Sequence, residues 1–535
     1  MGKGNGTRRE LLKVTGAAVL GLGAGGPVNA AAARRGPAQE VSAEFNVRDF
    51  GATGDGKTLD TFSINKAISA AAAVGGDTVH LPAGTYLCHS IHLKSHVRLQ
   101  FASGAIVVAA DPPKEKGAES YDLAESNKPW EGYQDFGHNH WHNSLIWGEG
   151  LENISICGPG LIRGKGISRG EFQGPIAEIP GVANKAIALK NCHDVILRDF
   201  SILHGGHLGI LTSGVDNLTI DNVKIDTNRA GIDMDCCRNV RVSNCSINAP
   251  WDDAICLKSS FALGFARAAE MITISDCMVS GSFEEGSLLD GTFKRFPANA
   301  DIDRNGRIKL GTESNGGFKN IAIRNCVFDG CFGLTILSVD GAIIEDVSIS
   351  DITMRDTVNS PIFIRLGSRM RAPAGAPVGA IRRVKISNIV SSSTSSLVCS
   401  MITGVPNHRI ENVRLSNILI QHAGGGTKLD AARQLGEEEK AYPEPNMFGN
   451  TPAHGLLIRH AEGIEISNWK VIAAVEDARP CFRLEDVERV DFSNIKTDRV
   501  ANTPLFILVR VKEFSVAQCN SLPDVEIAEV DHREL

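Results

Sequence analysis

Large aromatic side chains and an excess of basic residues are both lacking in this 535-residue sequence. It contains five Trp and four Tyr, too few for an aromatic platform on which nucleic-acid bases stack. Lys and Arg total 55 against 62 Asp and Glu, and the formal net charge is −7, whereas a general nucleic-acid binder is usually basic. The composition therefore disfavours nucleic acid as a partner.

Cysteine motifs and long apolar runs are lacking as well. The 13 Cys include no Cys-x-x-Cys pair, so neither a zinc site nor a dithiol redox site is indicated. No run approaches the roughly 20 apolar residues that a membrane-spanning helix needs. The repeated segments also lack the 3.6-residue period of helices. We therefore expect neither a membrane protein nor a helical repeat protein.

The first 32 residues are predicted to be an export signal. Arg8 and Arg9 precede a weakly hydrophobic run at 14–22, and small residues at 30–33 offer a cleavage site. This order of features is typical of the twin-arginine pathway, whose cargo folds before export. The protein would then be periplasmic or secreted, and its thiols would mature in the reducing cytoplasm.

The rest of the chain, residues 33–535, repeats one short pattern. Two alternating apolar residues, an Asn or Asp, and two more alternating apolar residues occur at 217–225, and the pattern starts again at Asn239. Strict alternation indicates β-strands, and a strand every 22 or more residues is typical of a solenoid. A propeller blade needs about 40 residues. We therefore predict an all-β fold, a single right-handed parallel β-helix with an N-terminal helical cap.

Repeated polar residues support this prediction. One phase of the repeat holds Asn222, Asn244, Asp276, Asn325, Asp351, Asn388, Asn417, Asn468 and Asn494. Asn and Asp favour turns, and in stacked coils their side chains would form a hydrogen-bonded ladder. The next phase holds Cys245, Cys277 and Cys326, which we interpret as a buried column of thiols. A helix from Asp60-Thr61 to about Ala73 would cap the first coil, and residues after 501 would cover the last.

Two central segments carry a family resemblance. Asn-Arg-Ala-Gly-Ile-Asp at 228–233 is followed by Trp-Asp-Asp-Ala-Ile-Cys-Leu-Lys at 251–258. With 45–56 and 158–166, these segments resemble, in the same order, motifs of glycoside hydrolase family 28, which contains polygalacturonases and rhamnogalacturonan hydrolases. The resemblance covers residues 45–497. It implies a β-helix that cleaves pectic polysaccharides with inversion of configuration.

The resemblance also implies the catalytic groups. One carboxylic acid protonates the leaving oxygen, and other carboxylates hold the attacking water, about 6.5–9.5 Å away in inverting enzymes. By position, Asp252 would be the acid and Asp253 would help to hold the water. Adjacent carboxylates repel each other's charge, which favours a protonated form of one. The structural alternative is an acidic turn pair bound by backbone amides.

The sequence departs from the family pattern at three motifs. The family has Asn-Thr-Asp-Gly where this chain has Asn-Arg-Ala-Gly at 228–231. Alanine cannot accept a proton, so Asp233 or Asp235, which share one face of a strand, would have to supply the carboxylate. Solvated strand residues are the alternative. Gly-His-Gly and Arg-Ile-Lys are missing near 305–311 and 335–337, which argues against a typical polygalacturonase.

Other residues could replace the missing motifs. The residues predicted to bind substrate are His207, Lys258, Arg307, Lys309, Glu313 and Arg365, whereas Arg369 and Arg371 are equally well explained as solvated coil edges. Arginine forks suit carboxylates, and a net-acidic protein that binds a polyanion must concentrate its cations locally. Insertions at 261–269, 281–304 and 424–450 would turn an open groove into a pocket and favour exo action.

These observations predict an exported hydrolase of galacturonate- or rhamnose-containing pectic oligo- or polysaccharides. It would need no cofactor or metal and would bind neither membrane nor nucleic acid. Two alternatives stay open. One is a polysaccharide lyase on the same fold, with a Lys or Arg base and often Ca²⁺. The other is a carbohydrate binder or impaired enzyme, and Ala230, at the position of an expected Asp, keeps that alternative open.

Overall fold

The computed structural model describes residues 44–115, 117–170, 178–395, 397–498 and 500–535. The predicted export signal lies outside these residues. The first strands are β1 (Phe45–Asn46), β2 (Asp55–Leu59), β3 (Thr78–Leu81), β4 (Gly84–Cys88), β5 (Ile91–His92), β6 (Arg98–Phe101) and β7 (Ala105–Ala109). The helices are α1 (Thr61–Ala73), α2 (Ser287–Asp290) and α3 (Lys428–Ala431), with 3₁₀ turns at Val47–Phe50, Glu131–Tyr133 and Pro445–Phe448.

The central and later strands continue the series. The central strands are β8 (Ser144–Glu149), β9 (Glu152–Cys157), β10 (Leu161–Arg163), β11 (Lys185–Lys190), β12 (His193–Arg198), β13 (Ser201–Leu203), β14 (Leu208–Ser213), β15 (Asp216–Asp221), β16 (Lys224–Asp226), β17 (Ala230–Asp235), β18 (Arg238–Ser243), β19 (Ser246–Asn248), β20 (Ile255–Ser259), β21 (Ala269–Ser275), β22 (Met278–Ser280) and β23 (Ile308–Ser314). The later strands are β24 (Phe318–Asp329), β25 (Leu334–Ser338), β26 (Ile343–Arg355), β27 (Ile362–Leu366), β28 (Ala380–Thr394), β29 (Ser400–Thr403), β30 (Ile410–Gly424), β31 (Leu456–Val475), β32 (Phe482–Thr497), β33 (Phe506–Ala517) and β34 (Val525–Glu534).

These strands stack as the coils of a parallel β-helix. In the central part each coil contributes three strands, because β11 pairs in parallel with β14, β14 with β17, and β17 with β20. From β24 onward two strands of a coil merge, since β24 pairs with both β21 and β22. The predicted solenoid is confirmed over the described residues.

The interior of the coils is a stack of aliphatic side chains. Ile210, Ile232, Ile255 and Ile308 are neighbours in register on β14, β17, β20 and β23, and all are fully buried. Burying one such side chain contributes roughly 1.5–3 kcal/mol. The alternating sequence therefore places one face of every strand in a continuous core.

The predicted Asn ladder is present at the turns. Asn417 donates to Asn388 at 2.9 Å and accepts from Asn468 at 2.8 Å, and Asn494 donates to Asn468 at 2.6 Å. Asn417 has φ 57°, and the other members of this phase are left-handed too. Asn tolerates this conformation better than most residues, which explains why it recurs there. Cys245, Cys277 and Cys326 are buried, as the thiol-column interpretation requires.

Both ends of the described solenoid are covered. Helix α1 buries Ile64, Ala67 and Ile68 completely in the main core, which confirms the N-terminal cap. Its N-cap residue, Asp60, makes no side-chain bond to the helix, and accepts instead from the amides of Thr53 and Gly54 at 2.7 and 3.0 Å. At the other end β34 pairs with β33 in antiparallel fashion.

Insertions fold onto the outer side of the coils. The predicted insertion at 424–450 packs Phe448 into a second apolar cluster with Phe363 and Met401. A further insertion at 111–143, which the repeat pattern does not predict, packs Trp141 into a third cluster with Leu208 and Ala230. Among the described residues no helix is long and apolar enough to cross a membrane.

Candidate active site

The outward side of β17, β20 and β23 is polar where the inward side is aliphatic. Register places Asp233 beside Cys256, and Cys256 beside Lys309. Asp252 and Asp253 lie in the turn just before β20. These carboxylates line a pocket of about 300 Å³ together with side chains from the two insertions, and we call it the outward pocket. Three carboxylates from adjacent coils thus meet at one place.

Asp253 is locked into the pocket floor as an anion. Arg307 Nε donates to its Oδ1 at 2.9 Å, and Lys309 Nζ donates to its Oδ2 at 2.8 Å. Burial opposes ionisation, but the charges of Lys309 and Arg307 prevail and lower the pKa of Asp253 to about 2. A carboxyl group with this pKa carries no proton to donate near neutral pH. Asp253 is therefore a fixed negative charge.

Asp233 is held by two cationic partners. His138 Nε2 donates to Asp233 Oδ2 at 3.0 Å, and Lys258 Nζ lies 3.9 Å from the same oxygen. The other oxygen, Oδ1, is buried and has no hydrogen-bond partner among the described residues. Asp233 thus keeps one buried acceptor atom that no described group occupies.

His138 is positioned to be doubly protonated. Its Nδ1 faces the backbone carbonyls of Asp135 and Phe136 at 3.2 and 3.0 Å, and its Nε2 faces Asp233. All these partners are acceptors, so both ring nitrogens are donors. Burial and the charge of Lys258 act against the imidazolium, but the Asp233 carboxylate outweighs them and the pKa of His138 is raised.

Lys258 and Glu313 form a buried ion pair behind Asp233. Lys258 Nζ donates to Glu313 Oε2 at 2.5 Å. Although burial acts in the opposite direction, Glu313 and Asp233 raise the pKa of Lys258 well above its usual value. Burial and the charge of Glu313 raise the pKa of the nearby Asp135, whose amide donates to Glu313 Oε1 at 3.2 Å. Lys258 therefore stays charged and cannot act as a base.

Asp252 is one of two pocket carboxylates that water reaches; the other is Asp135, whose side chain is 32% exposed. The Asp252 side chain is 28% exposed, against 2% for Asp233 and 3% for Asp253. Its Oδ1 accepts from the Asp253 amide at 2.9 Å, and Arg229 Nη2 lies 3.2 Å from its Oδ2. An exposed carboxyl group at the pocket mouth can exchange protons with solvent, which the two buried ones cannot do as easily.

His207 lines the pocket as a neutral imidazole. Burial, with the charge of Arg229, holds the pKa of His207 well below its usual value. Its Nδ1 lies 3.1 Å from the Arg169 carbonyl, an acceptor, so Nδ1 carries the proton and Nε2 carries the lone pair. The Phe136 ring packs edge-on against it, with centroids 5.1 Å apart.

Several predicted site residues lie elsewhere. Asp235 does not line the outward pocket: its carboxylate accepts from the amide and hydroxyl of Ser260 at 2.8 and 2.5 Å. Arg365 donates to the carbonyls of Gly404, Glu437 and Glu438 and so anchors the 424–450 insertion. These two residues hold loops in place, because their polar atoms are already engaged by the protein.

Arg307 and Glu313 support the pocket from behind. Arg307 is completely buried and joins Asp253 to Glu444 of the insertion, with Nη1 2.8 Å from Glu444 Oε2. Glu313 neutralises Lys258. Arg369 pairs with Asp340, and Arg371 with Asp135. His207, Lys258 and Lys309 are the predicted substrate-binding residues that line the pocket.

Sequence reasoning missed the residues that the insertions contribute. Asp135, Phe136 and His138 come from the 111–143 insertion, and Tyr442 comes from 424–450. Tyr442 Oη lies 3.0 Å from Thr312 Oγ1. A signal was present, since residues 136–142 read Phe-Gly-His-Asn-His-Trp-His in a chain with only 15 His and five Trp.

A group of possible metal ligands lies outside the outward pocket. Ligand atoms of Glu125, His142 and Glu149 lie within 4.8 Å of one another. However, Lys190 Nζ lies 2.9 Å from Glu149 Oε1, and His142 Nε2 lies 2.9 Å from Glu149 Oε2. The carboxylate of Glu149 is thus already paired with protein groups.

The described coils define a parallel β-helix with a carboxylate-lined pocket on its outer side. Two protein-family models match the sequence and support the fold. Residues 44–158 match the family model "Rhamnogalacturonase A/epimerase, pectate lyase-like", and residues 153–267 match "Right handed beta helix region". The right-handed parallel β-helix predicted from the sequence is thereby confirmed. Each model covers about a fifth of the chain.

Polygalacturonases are among the similar proteins. A probable polygalacturonase from Vitis vinifera is 22% identical over 406 residues, which is 71% of this chain and 75% of the relative. An exopolygalacturonase structure from Thermotoga maritima covers 80% of this chain and 92% of its own, with TM-score 0.59 and 18% identity. A family 28 exopolygalacturonase from Yersinia enterocolitica covers 84% and 78%, with TM-score 0.60 and 18% identity. At this identity the two structures show a shared fold.

Proposed function

We propose that this protein is a glycoside hydrolase that cleaves bonds in pectic oligo- or polysaccharides of the galacturonate or rhamnogalacturonan type. The observation that carries the proposal is the outward pocket, in which the three carboxylates supplied by the coils have three different environments. Asp252 reaches solvent, Asp233 has a free oxygen, and Asp253 is locked by cations. The polygalacturonase relatives support the choice of pectic substrates.

The environments support the following assignment of roles. Asp252 donates a proton to the leaving glycosidic oxygen, because it can be reprotonated from solvent. Asp233 accepts a proton from the attacking water through Oδ1, since Oδ2 is held by His138. Attack by water on the face opposite the leaving group inverts the anomeric configuration. Asp253 stays ionised and fixes Lys309 and Arg307. Asp233 thus takes the task of the carboxylate that is missing at position 230.

A second candidate function is carbohydrate binding without turnover, because Ala230 stands where a catalytic carboxylate is expected. The packing of Ala230 shows what a carboxylate would meet at this position. The Ala230 methyl group belongs to the apolar cluster with Trp141 and Leu208, so it is part of a packed surface. An Asp side chain at 230 would place a charge against these apolar groups, which is costly. We therefore expect Ala230→Asp not to restore or raise activity.

A lyase with a lysine base is disfavoured by the protonation states in the pocket. Such a lyase needs an uncharged lysine beside the sugar, yet the pKa values of Lys258 and Lys309 are raised by their carboxylate partners despite burial. Burial lowers the pKa of Lys185 to about 7, but Lys185 does not line the pocket. Its Nζ lies 3.3 Å from Asn143 Oδ1.

A panel of pectic polysaccharides and oligosaccharides tests the proposed function. Reducing ends and ultraviolet absorbance of unsaturated products are followed together. Hydrolysis predicts new reducing ends without absorbance, and proton NMR of the first product should show the inverted anomer. A rise in both signals would establish a lyase. Tight binding without either signal would establish the binder.

Export remains part of the proposal. The thirteen Cys are all free thiols, and twelve of them are buried, which fits a protein that folds in a reducing compartment before it crosses a membrane. Replacing Arg8 and Arg9 by Lys should retain the folded, unprocessed protein in the cytoplasm. Normal export of that variant, measured by cell fractionation, would contradict the twin-arginine assignment.

A further inference from the structure

Most cations around the outward pocket are already neutralised by the protein. Lys258 pairs with Glu313 and Asp233, and Lys309 pairs with Asp253. Both lysines are almost fully buried. A substrate anion would have to compete with these short, buried pairs. They hold the pocket together, and they are poorly placed to recognise a charged sugar.

Arg229 differs from these cations. It lines the same pocket, and its side chain is 36% exposed. In its ion pair with Asp252, Nη2 lies 3.2 Å from Oδ2. Its Nε is buried and has no hydrogen-bond partner in the described part of the chain. The guanidinium therefore keeps unused donors, and an Arg fork can bind a carboxylate through two parallel hydrogen bonds.

The residue next to Arg229 also distinguishes it from the buried lysines. Position 230, next to Arg229, is Ala, so no carboxylate at 230 competes for the guanidinium or repels an incoming anion. Asp252 contacts Arg229, and Asp303 is close enough to feel its charge; burial and the charge of Asp252 raise the pKa of Asp303 despite the pull of Arg229. His207, which also lines the pocket, is neutral and adds no positive charge there.

We propose that Arg229 binds the carboxylate of a uronate sugar beside Asp252 and so selects acidic over neutral sugars. This inference rests on the proposed function and names the residue that recognises the charge. It also links recognition to catalysis. Arg229 contacts the proposed proton donor, Asp252, so the bound carboxylate would lie beside the group that acts on the glycosidic bond.

A pair of matched sugars tests this inference without turnover. Methyl α-D-galacturonate and methyl α-D-galactoside differ only in a carboxylate against a hydroxymethyl group. Binding of each sugar to the full chain is measured by ligand-detected NMR titration at neutral pH. The same titration is repeated with Arg229→Gln, with Arg229→Lys, and with Arg414→Gln as the matched control. Arg414 forms an exposed pair with Glu465 at 2.5 Å on a later strand.

The expected result is selective. Arg229→Gln should weaken galacturonate binding about 10- to 100-fold, the range for a hydrogen bond to a charged partner. Galactoside binding should change less than about twofold in that variant. Arg229→Lys should keep part of the preference, and Arg414→Gln should keep all of it.

Each contrary result has a distinct meaning. Unchanged galacturonate binding in Arg229→Gln, or an equal loss for both sugars, would overturn the role of Arg229 and leave the hydrolase proposal standing. If neither sugar binds the unaltered protein at concentrations up to tens of millimolar and the pectic panel is also inert, the proposed function fails and the inference fails with it. Circular dichroism of Arg229→Gln checks that the variant is folded.

Discussion

The two sides of strand β17 differ in what surrounds them. Ile232 and Met234 point into the coil and belong to the continuous aliphatic core. Asp233, between them, points outward, yet it is just as buried because the 111–143 insertion covers it. The inward side repeats from coil to coil, whereas the outward side becomes a site only where insertions cover it. Stability and chemistry are therefore carried by alternate residues of one strand.

Asp233→Asn should show the largest effect on the outward side. Removing the group that accepts the water proton should lower kcat about 10²- to 10⁴-fold. The variant also leaves His138 and Lys258 without their carboxylate, so the free energy of unfolding should fall. Reducing-end assays and urea denaturation measure the two effects. Turnover within a few-fold of the unaltered protein would remove Asp233 from the mechanism.

Ile255→Ala tests the inward side of the next strand. Ile255 is fully buried between Ile232 and Ile308, so truncation should lower the free energy of unfolding by about 2–5 kcal/mol. The kcat per folded molecule should stay nearly unchanged. Arg241→Ala, at an exposed position of β18, is the control and should shift the unfolding free energy by less than about 0.5 kcal/mol. An equal shift in both variants would contradict the core assignment.

His138→Gln tests the insertion that covers the outward side. Losing a charged hydrogen bond to Asp233 should reduce kcat about 10- to 100-fold. The pKa of His138 is raised by folding, so its stabilising effect is complete below about pH 6.5 and is lost as pH rises through the folded pKa. The unaltered protein should therefore lose activity on the alkaline side. In the Gln variant this limb of the pH–rate profile should change, and an identical profile would show that His138 does not titrate in the mechanism.

Asn417→Ala should show the smallest effect, since it alters one rung of an exposed ladder. The change removes hydrogen bonds to Asn388 and Asn468 and places Ala at φ 57°, which should cost about 1–2 kcal/mol of unfolding free energy. Asn417→Gly keeps the loss of hydrogen bonds but relieves the backbone, and its unfolding free energy should fall less. If Gly is no better than Ala, the backbone conformation is not the reason for Asn at this position.

The sequence predicts the inward side well because that side is repetitive. Alternation gives the strands, and Asn417 and its equivalents mark the turns, so the β-helix and its helical cap could be inferred without coordinates. Asp252 and Asp253 could be placed together because one turn carries both. The roles of Arg365 and Asp235 could not be inferred, since their partners lie on loops far away in sequence.

The insertions are the part that the sequence does not determine by pattern. They lack a period, so nothing in residues 111–143 indicates that His138 reaches Asp233, 95 residues later. The same holds for Tyr442, which reaches the pocket from the 424–450 insertion. Long-range contacts of this kind depend on how each loop packs on the coils. The dense group of His and Trp residues at 136–142 indicates that this segment contributes to a site. It does not show which of these residues enters the pocket or what each one does.

The proton-donor role is tested by the turnover of Asp252→Asn on the pectic substrate that the unaltered protein degrades fastest. Asp252 is partly exposed, so the substitution should leave the thermal unfolding midpoint nearly unchanged. We expect kcat to fall at least about 100-fold in an otherwise intact protein. Turnover within a few-fold of the unaltered protein, with the same unfolding midpoint, would contradict the claim that the outward pocket supplies the proton for glycosidic cleavage.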